Sequence, residues 1–393
     1  MLTSSFLIVT PRRLIGAMPW SFGIVGTLAL AGFGGPAYGQ ETMSGEDEPS
    51  LGGLGLGGAA EPREKIDWSS VFDNSTADVD LIGRAITTEN TERVSFLAAT
   101  GFDLHTVLTG SHGDLGTLVL QPYIVRRDDA PRIPNHVEGD DDWELELHQN
   151  WFNLTRWGRG RANVRVGHML IPYGLEPAID THFTVRQLTA GQNLGAKMDW
   201  GVSLNGSVSG VEYEVAGLRG SGMEYVDKDE NYSVAGRLAT PSDQNHSVGV
   251  SIFVGEVIDP GGARRYASGG GSSSTGADIV ERVRLGVDAT WIRESLTFLA
   301  EVSGGQDFEQ EIANAFFEAD WTSRDGQSMV YIQTLMRAQN GSQKWDEDIR
   351  VGLGARLHLG HNLDIEVQIA KDLERYLGAQ EDLALTIQIR LRP

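Results

Sequence analysis

Ile349-Arg350-Val351-Gly352-Leu353-Gly354-Ala355-Arg356-Leu357-His358-Leu359 places Ile349, Val351, Leu353, Ala355, Leu357 and Leu359 on one face, against Arg350, Gly352, Gly354, Arg356 and His358 on the other. A period of two is the signature of a β-strand, whose successive side chains point to opposite sides. The next run repeats it, with Leu363, Ile365, Val367 and Ile369 against Asp364, Glu366 and Gln368. Further runs do the same. Leu383, Leu385, Ile387, Ile389 and Leu391 oppose Thr386, Gln388, Arg390 and Arg392, and Val283, Leu285, Val287, Ala289 and Trp291 oppose Arg282, Arg284, Asp288 and Thr290. Ala162, Val164, Val166, His168 and Leu170 oppose Arg161, Asn163 and Arg165. A soluble sandwich also alternates, but its strands are commonly about five or six residues long. Many runs here reach ten residues or more, the length a tilted strand needs to cross a bilayer. Trp143, Trp151, Trp200, Trp291, Trp321 and Trp345 fall near run ends, where an aromatic girdle is expected.

Sixteen such runs are expected: 79–88, 93–108, 116–127, 143–157, 160–170, 197–209, 211–220, 231–240, 246–257, 280–292, 294–305, 309–323, 327–339, 346–359, 361–376 and 380–393. An even count returns both chain ends to one side, the periplasm. Links after even-numbered runs are then periplasmic and short, such as Gly158-Arg159, Gly210, Arg293, Arg324-Asp325-Gly326 and Gly360. The long links, 128–142, 171–196, 221–230 and 258–279, all fall on the outer side. That asymmetry is the one transmembrane barrels show. The expected fold is all-β: a transmembrane antiparallel β-barrel of about sixteen strands over 79–393.

The preceding residues read differently. Arg12 and Arg13, the apolar Leu14–Gly35 and the small residues around Gly35-Pro36-Ala37-Tyr38-Gly39 form an export signal over 1–39, with cleavage expected after Gly39. Residues 40–78 follow as a flexible periplasmic segment, rich in Gly and acid between Glu41 and Pro62. Without the signal the chain carries 30 basic and 54 acidic residues, a net of −24. This argues against nucleic acid and anionic lipid as partners. With no Cys, disulfides and thiolate chemistry are excluded, and nine scattered His show no metal-ligand spacing. Asp140-Asp141-Asp142 with Glu138 matches no calcium loop and reads as a solvated outer loop. His148 offers no spacing for a hydrolytic triad. No enzyme activity, cofactor or metal is expected.

Val164-Arg165-Val166-Gly167-His168-Met169-Leu170-Ile171-Pro172-Tyr173-Gly174-Leu175-Glu176 resembles the phosphate-selective porins O and P, in which a strand ending Gly-x-x-x-x-Pro-(Phe/Tyr)-Gly-Leu-Glu runs into the loop that narrows the pore. Asp180-Thr181-His182-Phe183-Thr184-Val185-Arg186-Gln187-Leu188 is similar to that family's following stretch, and the likeness covers about residues 143–210. The resemblance implies a sixteen-stranded barrel, a homotrimer and a third outer loop folded inward. Two features depart from it. Only five lysines are present, and the chain closes on Leu391-Arg392-Pro393 rather than on an aromatic residue.

Independently of that likeness, 171–196 follows the fifth run, and Pro172 and Gly174 break the strand sharply. Tyr173, Glu176, Asp180, His182 and Arg186 would then stand across from the wall arginines Arg161, Arg165, Arg350 and Arg356. Inner carboxylates such as Glu214, Glu318, Asp320 and Glu366 face them, so opposed charges would order water and pass polar solutes. The expected function is passive diffusion of small hydrophilic solutes or ions through this constriction, in an outer membrane whose lipid covers the apolar face. The alternative is a structural or receptor barrel, such as a sheath around an electron-transfer partner, with no open pore.

Overall fold

The computed structural model describes residues 74–89, 94–110, 113–128, 143–156, 160–179, 183–187, 193–222, 231–259, 278–308, 310–340, 345–360, 362–374 and 382–393. The expected signal and most of the lead-in segment therefore lie outside the described residues, as do Glu138 and Asp140-Asp141-Asp142.

Sixteen strands form: β1 Ser75–Thr88, β2 Val94–Gly110, β3 Gly113–Asp128, β4 Glu144–Leu154, β5 Asn163–Leu170, β6 Met198–Val208, β7 Val211–Leu218, β8 Ser233–Ala239, β9 His246–Asp259, β10 Asp278–Arg293, β11 Leu296–Asp307, β12 Gln310–Thr322, β13 Ser328–Asn340, β14 Trp345–Leu359, β15 Leu363–Glu374 and β16 Leu383–Leu391. Each pairs antiparallel with its neighbours in sequence, and β1 pairs with β16, so the sheet closes without an edge. The barrel begins at Ser75, four residues before the expected start. Ser75, Thr76 and Ala77 carry no apolar alternation, so their pairing with β2 left no periodic mark.

The alternation sorts the two surfaces as expected. On β14, Leu353 and Leu357 are exposed outward, whereas Gly352 and Gly354 are buried on the inner side. On β10, Leu285 and Val287 point out while Arg282, Gly286 and Asp288 point in. The outer surface is thus a continuous apolar belt, the kind of surface that hydrocarbon rather than water covers. Trp291 stacks on Phe298 at 5.3 Å near one end of the belt, with Trp321 close by in sequence register, and Trp143 and Trp345 lie exposed at the other end. Trp151 departs from this girdle. The pairing of β3 with β4 shifts register between Leu120 and Pro122, a residue with no N–H to donate. Side chains repair the break: Gln121 N–H donates to Asn150 Oδ1 and Gln149 N–H to Gln121 Oε1, each at 3.2 Å. Beyond this bulge Trp151 faces inward, under the Arg165 guanidinium at 4.6 Å.

The closing seam is pinned by charge. Asp80 of β1 is fully buried and accepts hydrogen bonds from Arg390 Nε at 2.8 Å, Arg392 Nε at 3.0 Å and Tyr123 Oη at 2.6 Å. First strand, last strand and β3 thereby meet at one carboxylate.

Two outcomes test these readings. Leu353→Arg, on the outer face, should lower the unfolding free energy in lipid vesicles by about 2–4 kcal/mol, as a cation near the bilayer midplane does. Asp80→Ala strands the buried Arg390 and should cost about 3 kcal/mol. Denaturant titration of the reconstituted barrel followed by tryptophan fluorescence measures both.

Candidate functional site: the loop across the lumen

The link between β5 and β6 departs from the ladder at Pro172. Ile171 N–H still bonds Lys197 O at 3.1 Å, and Tyr173 N–H then turns back to Ile171 O at 2.7 Å, a three-residue turn around the proline. Gly174 follows with φ +61°, in the left-handed region, beside the Glu301 carboxylate where a Cβ would collide. The backbone is then taken up further round the wall. Gly174 N–H donates to Ser251 Oγ of β9 at 3.0 Å and Leu175 N–H to Glu301 Oε2 of β11 at 2.9 Å. A single 3-10 turn, Glu176–Ala178, comes next.

Three apolar contacts seat the loop. Ile171, Tyr173, Leu194 and Ala196 pack on Ala216, Leu218, Ala235, Phe253 and Val257, the inner face of β7 to β9. The Tyr173 ring lies over Gly286 of β10, which has no side chain to displace it. Burial pushes the Tyr173 phenol above its usual pKa, so it stays neutral. Leu175 and Ile179 pack on Leu299, Phe316 and Leu335 of β11 to β13. Phe183 reaches the far side and packs on Ile82, Leu97, Ala99, Tyr123 and Val125 of β1 to β3, with its ring 4.7 Å from that of Tyr123 and 4.9 Å from that of His148. The lumen-facing wall is therefore not uniformly wetted. Part of it is covered by the loop.

Between these contacts the segment 183–187 is held by polar side chains. Gln388 donates to Phe183 O, Arg84 Nη2 donates to Thr184 O at 3.1 Å, and Val185 N–H donates to Glu366 Oε2 at 3.0 Å. Gln187 is bonded through both its N–H and its C=O to Gln333. Arg186 pairs with Glu318 and, at 3.4 Å, with Asp320. Burial holds its guanidinium below the usual pKa while Asp320 opposes the shift. On the return path Asn193 donates to Ser303 Oγ at 2.8 Å and accepts from Arg284 Nε at 2.9 Å and Asn314 Nδ2 at 2.8 Å. Arg282 and Arg284, both fully buried, share Asp307.

Of the residues expected at the constriction, Pro172, Tyr173, Gly174 and Glu176 are buried at the base of the loop, with Glu176 Oε1 3.4 Å from Lys197 Nζ. Arg186 lies among the carboxylates of β12, further along the strand whose Phe316 packs on Leu175. Asp180 and His182 lie outside the described residues. Arg165 lines the wall, 2.9 Å from Glu214, and Arg350 lines it 3.7 Å from Asp372. Arg356 stands opposite Glu366 in register and has its buried Nε without a hydrogen-bond partner among the described residues. Arg161 is not brought to the loop. It precedes β5 at the short-link end, exposed, and its carbonyl accepts from Tyr213 Oη at 2.6 Å. That end is a whole strand away from Pro172, about 25 Å at the usual rise per residue. The residues that sequence reasoning left unassigned are chiefly neutral: Gln333, Tyr331, Asn193 and Ser251. Alternation places Gln333, Tyr331 and Ser251 on inner faces, while Asn193 belongs to the loop itself, and nothing local marks any of the four as a contact between loop and wall.

No family model matches the chain, and no curated protein matches it in sequence. Solved structures do match in fold. The anion-selective porin from Comamonas acidovorans aligns with TM-score 0.56 at 10% identity, over 81% of this chain and 100% of that one. OprB from Pseudomonas putida aligns with TM-score 0.56 at 10% identity, over 83% and 96%. Salmonella typhi OmpF, in complex with daunomycin, aligns with TM-score 0.55 at 12% identity, over 83% and 100%.

Gly286→Val places branched carbons where the Tyr173 ring lies. The expected cost is about 1–3 kcal/mol, the usual range for overpacking, read by chemical unfolding in detergent. The same change at outward-facing Gly83, where nothing stands within 4 Å, should be close to neutral.

Proposed function

We propose that this chain is an outer-membrane porin that lets small hydrophilic or ionic solutes diffuse passively through a charged constriction. The observation that carries the reading is the course of the loop's described parts, 171–179, 183–187 and 193–196, seated on the inner wall of a closed barrel whose β14 carries Arg350 and Arg356. Solutes enter among the long links, pass the loop beside Arg350 and Arg356, and leave at the end where β1 begins and β16 ends, the periplasm. The protein spends no energy and needs no resident cofactor for this. The first 39 residues serve as the export signal, and three copies associate, a reading supported by a fold neighbour, OmpT of Vibrio cholerae, solved in a trimer form.

The local charges support a selective rather than indifferent passage. Glu318, Asp320 and Glu366 are all buried and already engaged by the loop. Arg356 is half-buried and has no ion-pair partner among the described residues. A solute at this level meets guanidinium more readily than carboxylate. The three apolar seats of the loop favour one rival, a narrow barrel that encloses or receives a partner without conducting.

Conductance separates the two. Purified protein in planar bilayers should give stepwise openings. Arg356→Ala should reduce the chloride-to-potassium permeability ratio about tenfold, since a unit charge about 6 Å away in water is worth about threefold to the anion and the same factor against the cation, with Arg356→Glu shifting it further in the same direction. A parent protein that never opens, in bilayers or in solute-swelling assays of vesicles, would overturn the porin reading in favour of the rival.

A further inference from the structure

Gln333 stands at the middle of β13, 1% exposed, opposite Glu318 in register. A carboxamide has two donor hydrogens and two acceptor lone pairs. All four are used here. Oε1 accepts from Gln187 N at 3.3 Å and from Gln368 Nε2 at 2.9 Å. Nε2 donates to Gln187 O at 3.0 Å and to Glu318 Oε2. The side chain therefore acts towards the loop as a neighbouring strand would, reading the N–H and the C=O of a single residue. Gln368 and Glu318 fix which end of the amide is which, since one supplies a donor and the other only acceptors.

This matters because the loop crosses the lumen without a β partner, and a backbone group left unmet inside a protein costs about as much as a lost hydrogen bond. Phe183, Thr184 and Val185 each have one backbone group met by a wall side chain. Gln187 has both met, and by one side chain.

We propose that Gln333 is the positioning residue that sets where the loop stands in the lumen, and so sets the width of the passage. The inference deepens the porin reading and rests on it for the permeation consequence only. No isosteric replacement reproduces the pairing. Met keeps the volume and loses all four bonds. Glu keeps the acceptors but loses the donations to Gln187 O and Glu318, and adds a charge among Glu318 and Asp320 of β12, Arg186 of the loop, Arg350 and Arg356 of β14 and Glu366 of β15.

The test follows backbone amide deuterium exchange in the purified full-length barrel, with conductance as a second readout. In Gln333→Met the Gln187 amide should exchange at least tenfold faster than in the parent, while amides of β13 and β14 keep their parental rates. Gln333→Glu should give a smaller rise, because the N–H acceptor survives. Gln368→Met, which removes only the group orienting Oε1, should move exchange in the same direction and serves where Gln333→Met does not assemble. In bilayers, Gln333→Met should show at least twofold greater open-channel current noise. Parental exchange at Gln187 in these variants would overturn the proposal, as would a rise shared equally by the strands, which would make Gln333 a general stabiliser of the wall. A non-conducting parent would count against the porin reading, and the exchange result would still decide the role of Gln333.

Discussion

Hydrocarbon offers no hydrogen bonds, and the whole architecture follows from that lack. Sixteen ribbons with greasy outer faces cannot leave one edge open in lipid, so β1 must find β16. The same accounting recurs inside. The segment 183–187 belongs to no strand and lies against the wall. Its backbone groups are met by side chains instead: Gln388, Arg84, Glu366 and Gln333, drawn from four strands. The barrel solves its backbone problem once with a ladder and once with an improvised partner made of amides, a guanidinium and a carboxylate.

The inner wall is consequently a mosaic. Where the loop sits, the inward positions are small or apolar, as with Ala216, Ala235 and Phe253, or carry glycines such as Gly286 that accept an aromatic ring. Under residues 183–187 they are polar or charged instead, with Arg84, Glu318, Gln333 and Glu366, and elsewhere arginines and acids alternate. Most charges there are spent on one another. Arg165 faces Glu214, Arg350 faces Asp372 and Arg237 faces Asp288, at distances that leave little net field. A strongly negative chain therefore need not present a negative lumen, because the carboxylates that meet the loop are buried under it.

Much of this was legible in the amino acids. Strict alternation in Ile349–Leu359 and Leu383–Leu391 needed nothing but a period of two, and the sixteen expected runs correspond one to one with the sixteen strands. The interrupted link after Leu170 was legible because Pro172 and Gly174 are local signals. Other features were not. Ser75–Ala77 belong to β1 through pairing alone. Trp151 reads as a girdle residue until Pro122, 29 positions earlier in the chain, shifts the register of its strand. Arg161 alternates correctly with Asn163 and Arg165, yet the strand begins just beyond it. The amide pairing of Gln187 with Gln333 joins residues 146 apart, and no window along the chain contains both. Alternation tells which way a side chain points and is silent on what it meets there.

The carboxylate shared by β1, β3 and β16 has a kinetic meaning as well as a structural one. Asp80 and Arg390 stand 310 residues apart, whereas every other neighbouring pair of strands is joined by a hairpin. Contacts between distant parts of a chain form late, because the connecting polymer must first lose its freedom. Fifteen hairpin pairings can zip up in sequence order while this one waits for the last strand. The clasp is thus a completion signal: until Arg390 arrives, Asp80 is an anion at an open edge, and an incomplete chain is penalised there rather than sealed prematurely.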